Sequence, residues 1–312
     1  MSEPRRPGPP PAGERKPPTT GHVWDSDLQE HDNPLPRWWV WGFYATVVFA
    51  VVYWLLYPAW PVADSYTPGL ARITYEADGE SRTTHWNSRA LLLQEMQEGE
   101  TARRRQDYLQ VIAESPWERI LSDPGMLDFV RAYGRGAFGE YCAACHQSGG
   151  AGLVGLYPNL ADDNWHWGGD PETIRRTIAG GRLGFMPPFD HALDADQRRA
   201  VAAYVLQLSG VPGDTAQVAR GRELFQGPEG GCYTCHRPDG TGVRSLGAPD
   251  LTNGIWSNID VAGAPDGAAR IERVSAFIAR GVRREMPAFG ERLSEAEIRV
   301  LAAYVHQLGG GQ

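Results

Sequence analysis

Cysteine and lysine are scarce in this chain. Its 312 residues hold four cysteines and one lysine, Lys16, so every later Lys/Arg position is arginine. Strand signals are nearly absent, and with them the βαβ context that a thioredoxin-type redox pair requires. The net charge of −8 argues against nucleic acid as a partner. The deficit splits unevenly, with 5 Lys+Arg against 6 Asp+Glu in residues 1–61, 7 against 11 in 62–125 and 18 against 21 in 126–312.

The four cysteines are all used in two copies of C-x-x-C-H, Cys142-x-x-Cys145-His146 and Cys232-x-x-Cys235-His236. This is the attachment motif of c-type haem. Each thiol can add across one haem vinyl group, and the following His can ligate the iron from the proximal side. A four-thiolate zinc site could also use two C-x-x-C pairs. It would explain neither the His after each pair nor the 90 residues between the pairs.

Residues 38–60, WWVWGFYATVVFAVVYWLLYPAW, carry no charged side chain. At ~1.5 Å per residue the stretch reaches about 35 Å, enough to cross a bilayer with some tilt. Trp38, Trp39 and Trp41 stand at one end and Trp54, Tyr57 and Trp60 near the other, the pattern of interfacial aromatic belts. The segment starts too late and runs too long for a signal peptide, and it lacks a clear A-x-A site. Arg5, Arg6, Arg15, Lys16 and Arg37 precede it, and only Arg72 falls within the next 20 residues. The N-terminus is therefore expected in the cytoplasm and the C-terminal bulk outside. That is also the side on which bacteria attach haem to cysteine.

The expected organisation is a largely disordered cytoplasmic segment 1–37, a transmembrane helix 38–60, a periplasmic linker 61–125 with a helical segment, and two haem modules, 126–210 and 214–312. Residues 1–20 are rich in Pro, Gly and Arg and are expected to be disordered. Residues 21–37 read as a polar approach to the membrane, and His22 and His31 within it fit that role better than a metal site. Residues 62–84 look irregular. A helical pattern runs through 86–114, where the Arg103–Arg105 run reads as a solvated face and Met96 as apolar packing.

The remainder is an internal repeat. RGAFGEYCAACH, GFMPPF and LDADQRRAVAAYVLQLSG recur as RGRELFQGPEGGCYTCH, REMPAFG and LSEAEIRVLAAYVHQLGG, the last helix offset by 100 residues. Ten extra residues in the second copy fall around Asn253–Asp266. Asp194 and Ser294 are N-cap candidates for the last helices, Ser294 with Glu297 at capping-box spacing. Val201, Tyr204, Val205 and Leu208, matched by Leu301, Tyr304, Val305 and Leu308, form a buried stripe. The pattern is all-α, and a covalently held haem would supply apolar volume that such small modules lack.

Met186 and Met286, each followed by proline at matched positions, are the candidate distal ligands. His/Met ligation raises the reduction potential. His166 and His191 lack repeat partners, and His306 aligns with Leu206, which sets them behind the methionines as ligands. Six-coordinate iron leaves no position for substrate, so each haem is expected to carry electrons and make no bonds.

The run Asn33-Pro34-Leu35-Pro36-Arg37-Trp38-Trp39, leading into a single span and then into two haem modules, resembles the membrane-anchored dihaem subunit of cbb3-type cytochrome c oxidase, the CcoP/FixP type. The resemblance runs from about residue 21 to the C-terminus. It implies one N-terminal transmembrane helix followed by two tandem class I cytochrome c domains, with two covalently bound haem c groups. It implies a bacterial inner-membrane protein beside a haem–copper catalytic subunit and a monohaem cytochrome subunit, fed by a cytochrome c or the bc1 complex. The complex would reduce oxygen and pump protons, and this chain would hold no oxygen site. In this family the methionines can serve the haem of the opposite module. Met186 with the His146 haem and Met286 with the His236 haem is the local arrangement, and the crossed one stands beside it. Two other classes remain: a free-standing tethered dihaem cytochrome serving another oxidase or reductase, and an enzyme subunit such as a thiosulfate-oxidising dihaem protein, which would want an open or unusual distal ligand.

Overall fold

The computed structural model describes residues 18–309. Of the stretch expected to be disordered, residues 1–17 lie outside the described residues. The chain divides into two units, residues 1–102 and 103–312.

In the first unit β1 (Thr19–Trp24) and β2 (Leu28–His31) form an antiparallel hairpin that carries His22 and His31, both exposed. The polar approach to the span is thus a hairpin. Helix α1 (Arg37–Leu56) carries no charge after its first residue and has no buried residue. It stops short of the expected end at residue 60. Tyr57 is extended, at φ −117° and ψ 159°, because the residue before Pro58 is pushed out of the helical region. Its 20 residues still span about 30 Å.

A short ladder of β3 (Pro61–Val62) and β4 (Ser65–Tyr66) follows, then a six-residue hairpin of β5 (Arg72–Ala77) and β6 (Glu80–His85). The expectation that 62–84 is irregular is therefore corrected. Asp78 and Gly79 both have positive φ, 55° and 78°, the two-residue turn that matches strand twist. Helix α2 (Ser88–Glu98) is capped by Asn87 and tied to β5 by Gln94 and Gln97, which donate to the carbonyls of Thr74 and Glu76. Met96, expected as apolar packing, is largely exposed on α2. Helix α3 (Glu100–Glu114) begins at the boundary between the units.

The second unit continues with α4 (Trp117–Ser122), α5 (Pro124–Tyr141), α6 (Ala143–His146), α7 (Pro171–Gly180), β7 (Arg182–Met186) and α8 (Ala195–Leu208). The second copy supplies α9 (Thr215–Gln226), α10 (Tyr233–His236), α11 (Gly267–Arg280), β8 (Val282–Met286) and α12 (Glu295–His306). Both expected caps are present. Asp194 and Ser294 each form a full capping box, with Gln197 and Glu297.

Packing crosses the repeat boundaries. The last helix of the first copy, α8, packs on α9 and α11 of the second, and α12 packs on α5 and α7 of the first. One core accordingly joins Val201 and Val205 to Leu224, Phe225, Val274 and Ile278. The other joins Leu301 and Val305 to Phe138, Ile174 and Ile178. The exchange is fastened by β7 and β8, which pair antiparallel across the copies from Arg182↔Met286 to Met186↔Val282. A third cluster packs Ile112 and Ile120 against Val130, Val300 and Ala303, so α4 and the later part of α3 pack within the second unit.

Candidate cofactor site

Each C-x-x-C-H motif closes a single helical turn, α6 or α10, whose last residue is the histidine. His146 Nδ1 lies 3.1 Å from the Pro158 carbonyl and His236 Nδ1 3.3 Å from the Pro249 carbonyl. A carbonyl can only accept, so Nδ1–H donates and Nε2 is left as the nitrogen available to a metal. Burial lowers both imidazole pKa values, which favours the neutral, ligating form. Burial also pushes the Cys142 and Cys232 thiols up to about 11. The residues after the motifs, Gln147 and Arg237, share a positive φ of 63° and 60°. The two turns are therefore built alike, down to a backbone conformation that L-residues rarely adopt.

A cavity of about 920 Å³ is lined by all eight predicted site residues: Cys142, Cys145, His146, Met186, Cys232, Cys235, His236 and Met286. Within it the methionines are exchanged. Met286 packs with Cys142 and Phe138, and it lines a smaller cavity of about 70 Å³ with Cys142 and His146. Met186 packs in the cluster that holds Cys232 and Phe225. The β7–β8 ladder produces this. Each strand carries its methionine past the pseudo-two-fold centre into the neighbouring core.

Gly181 and Gly281 make the ladder possible. Both have positive φ, 67° and 62°, and a side chain on Gly181 would strike the Met286 carbonyl while one on Gly281 would strike that of Met186. Neither glycine stands in a recognised motif, although the 100-residue offset relates them. His166, which has no counterpart in the repeat, gains a partner in the fold. Its Nε2 lies 3.2 Å from Ser257 Oγ, and Asn164 Nδ2 donates to the Ile255 carbonyl, joining the two copies at a second seam. His306 Nδ1 meets the Gly169 carbonyl at 3.0 Å, and His191 is exposed.

The residues present fit a c-type haem at each motif. Paired thiols precede a histidine whose tautomer is set, a thioether stands in the same core, and the walls are largely apolar. The fold and this site define a membrane-anchored c-type cytochrome.

Residues 16–64 match the family described as the N-terminal domain of cytochrome oxidase-cbb3, FixP. Residues 131–205 and 216–305 match cytochrome c oxidase, cbb3-type, subunit III. The chain is 40% identical over 308 residues to the cbb3-type cytochrome c oxidase subunit CcoP of Cereibacter sphaeroides, covering 95% of this chain and 96% of that one. It is 39% identical over 305 residues to the subunit FixP of Azorhizobium caulinodans, covering 95% and 94%. The chain belongs to the family of cbb3-type cytochrome c oxidase subunit III, the electron-transfer subunit of that oxidase.

Proposed function

We propose that this chain carries two haem c groups, one joined to Cys142 and Cys145 with His146 as proximal ligand, the other to Cys232 and Cys235 with His236. Met286 completes the first site and Met186 the second. The observation behind this pairing is the β7–β8 ladder, which sets Met286 in the core of Cys142 and Met186 in the core of Cys232. Bound haem supplies one-electron redox chemistry. The chain's own residues would hold each imidazole in one tautomer, offer a soft sulfur from the same core, and wall both sites with apolar side chains.

The chain is anchored in the bacterial inner membrane by α1, with its N-terminus cytoplasmic and its haem modules periplasmic. The excess of Arg and Lys before the span supports this orientation. It passes electrons from a cytochrome c, or from the bc1 complex, to the haem–copper catalytic subunit and its monohaem cytochrome partner. The relatives' names, as subunits of a cbb3-type oxidase, support that assembly.

The test uses a chain in which Cys142 and Cys145 are replaced, leaving one covalent haem. Met186→Ala should then remove the weak sulfur-to-iron band at the red end of the spectrum, and Met286→Ala should leave it. The reverse result would restore the uncrossed pairing.

A further inference from the structure

The inner face of the β7–β8 ladder is asymmetric in charge. Alternation turns Leu183, Phe185, Arg283 and Glu285 outward and leaves Arg182, Gly184, Met186, Val282, Arg284 and Met286 half-buried. The register pairs Arg182 with Met286 and Gly184 with Arg284. The 100-residue offset makes Val282 the counterpart of Arg182, and Gly184 that of Arg284. Neither arginine has a mirror image.

Both arginines stand at the first motif. Arg182 Nε donates to Thr177 Oγ1 at 2.9 Å, and its guanidinium lies 4.8 Å from the centre of the Trp167 ring. Thr177 and Trp167 line the smaller cavity with Cys142, His146 and Met286. Arg284 donates through its terminal nitrogens to the Gly155 and Leu156 carbonyls, on the loop between His146 and its acceptor Pro158. Its Nε is buried and has no partner. Among the described residues neither arginine forms an ion pair.

At the second motif one position carries a carboxylate where the first carries an amide. Asp250 follows Pro249, the acceptor of His236, where the first copy has Asn159 after Pro158. Both residues make the same turn. Asn159 Oδ1 accepts from Ala161 N at 2.9 Å and Asp250 Oδ1 from Thr252 N at 2.8 Å, so the difference between them is one of charge.

Half-buried guanidinium groups without a carboxylate are costly, and a c-type haem brings two carboxylates. We propose that Arg182 and Arg284 receive haem carboxylates at the first motif and, together with Asp250 at the second, make the first site the more oxidising of the two. This rests on the reading that both motifs carry haem. A positive charge beside a redox centre favours its reduced form and a negative charge its oxidised form. One electron shared between the sites, with no proton following it, would rest at the first.

The full-length haem-loaded chain decides this in a redox titration at fixed pH, with covalent haem counted in the same samples. Arg182→Gln and Arg284→Gln should each lower the more positive midpoint and leave the other in place, with the haem count at two. Arg284→Lys should restore most of the shift, which a merely structural role would not require. Asp250→Asn should raise the less positive midpoint. Movement of the less positive midpoint by the arginine variants, or no movement with both haems retained, would overturn the proposal. If Arg284→Gln fails to load, Arg182→Gln and Asp250→Asn still decide it. An unsubstituted chain with fewer than two covalent haems would instead remove the functional reading beneath it.

Discussion

Replacing Gly281 by alanine tests whether the exchanged ladder controls the sites. Gly281 ends α11 at φ 62° and ψ −168°, a region open essentially to glycine alone. Holding alanine there costs about 1–3 kcal/mol. The new Cβ would also sit 2.5 Å from the Met186 carbonyl oxygen and 2.6 Å from Pro187 C and Pro188 N. These are backbone atoms, so the Met186-Pro187 turn must retreat, and such overpacking costs about 1–3 kcal/mol more. A combined loss of about 4 kcal/mol should lower the unfolding midpoint of the haem-loaded chain by about 10 °C, given some 2–4 °C per kcal/mol for a unit of this size. The damage should be directional. Gly281→Ala should weaken the sulfur-to-iron band that depends on Met186 and spare the one that depends on Met286. Gly181→Ala should do the opposite, because its side chain would meet the Met286 carbonyl. Calorimetry and visible spectra of the same samples give both quantities. An unfolding midpoint unchanged by Gly281→Ala, or loss of the Met286 band instead, would refute the reasoning.

Arg299 donates from Nε to the Ile112 carbonyl at 3.0 Å and from Nη2 to the Ser115 carbonyl, and its guanidinium stacks 4.3 Å from the Trp117 ring centre. Arg299→Met should therefore cost about 2–3 kcal/mol in denaturant unfolding by unfastening α12 from α3 and α4. Asp194→Ala removes the cap and the capping box of α8 and should cost about 1 kcal/mol in the same assay. Glu172 is held below the usual carboxylate range, chiefly by its hydrogen bond from Arg175, with Trp117 Nε1 donating as well. A folded carboxyl that titrates below its unfolded value stabilises the fold above about pH 4 and loses that contribution as pH falls through the folded value. Glu172→Gln should thus lower stability at neutral pH and flatten the acid limb of a stability–pH curve. An acid limb as steep as the parent's would count against it.

Much of the chemistry is legible in the residues themselves. Thioether attachment would need two thiols one turn apart with an adjacent imidazole, so the expectation of that chemistry at Cys142-x-x-Cys145-His146 and its copy is a local one. An uncharged stretch long enough for a bilayer is equally local, and only Pro58 shortens the helix. The caps at Asp194 and Ser294 depend on four residues each. The β5–β6 hairpin is local too, signalled by Asp78-Gly79, but the overall composition of residues 62–84 hides that turn.

The partnership of each motif is not local. Met186 and Met286 occupy equivalent places in the repeat. The chain runs 40 residues from His146 to Met186 and 50 from His236 to Met286. Either length lets a methionine reach its own motif or the other one.

Burial and pairing distinguish the two arrangements. The apolar stripes of α8 and α12 are nearly identical in sequence, so the stripes alone do not say which core each helix fills. The antiparallel ladder does, because Gly181 and Gly281 let each strand lie against the other's Met-Pro turn. The charge asymmetry has the same origin. Arg182, Arg284 and Asp250 are three ordinary charged residues in sequence. They become features of particular sites only once the ladder register and the His–Pro hydrogen bonds assign each to a motif. The cofactor chemistry and the anchor can thus be read from residues alone, since both rest on contacts within a few positions. Which methionine shares a core with which motif, and which motif Arg182 and Arg284 stand beside, emerges only from packing, since both rest on pairings about 100 residues apart that local chemistry leaves degenerate.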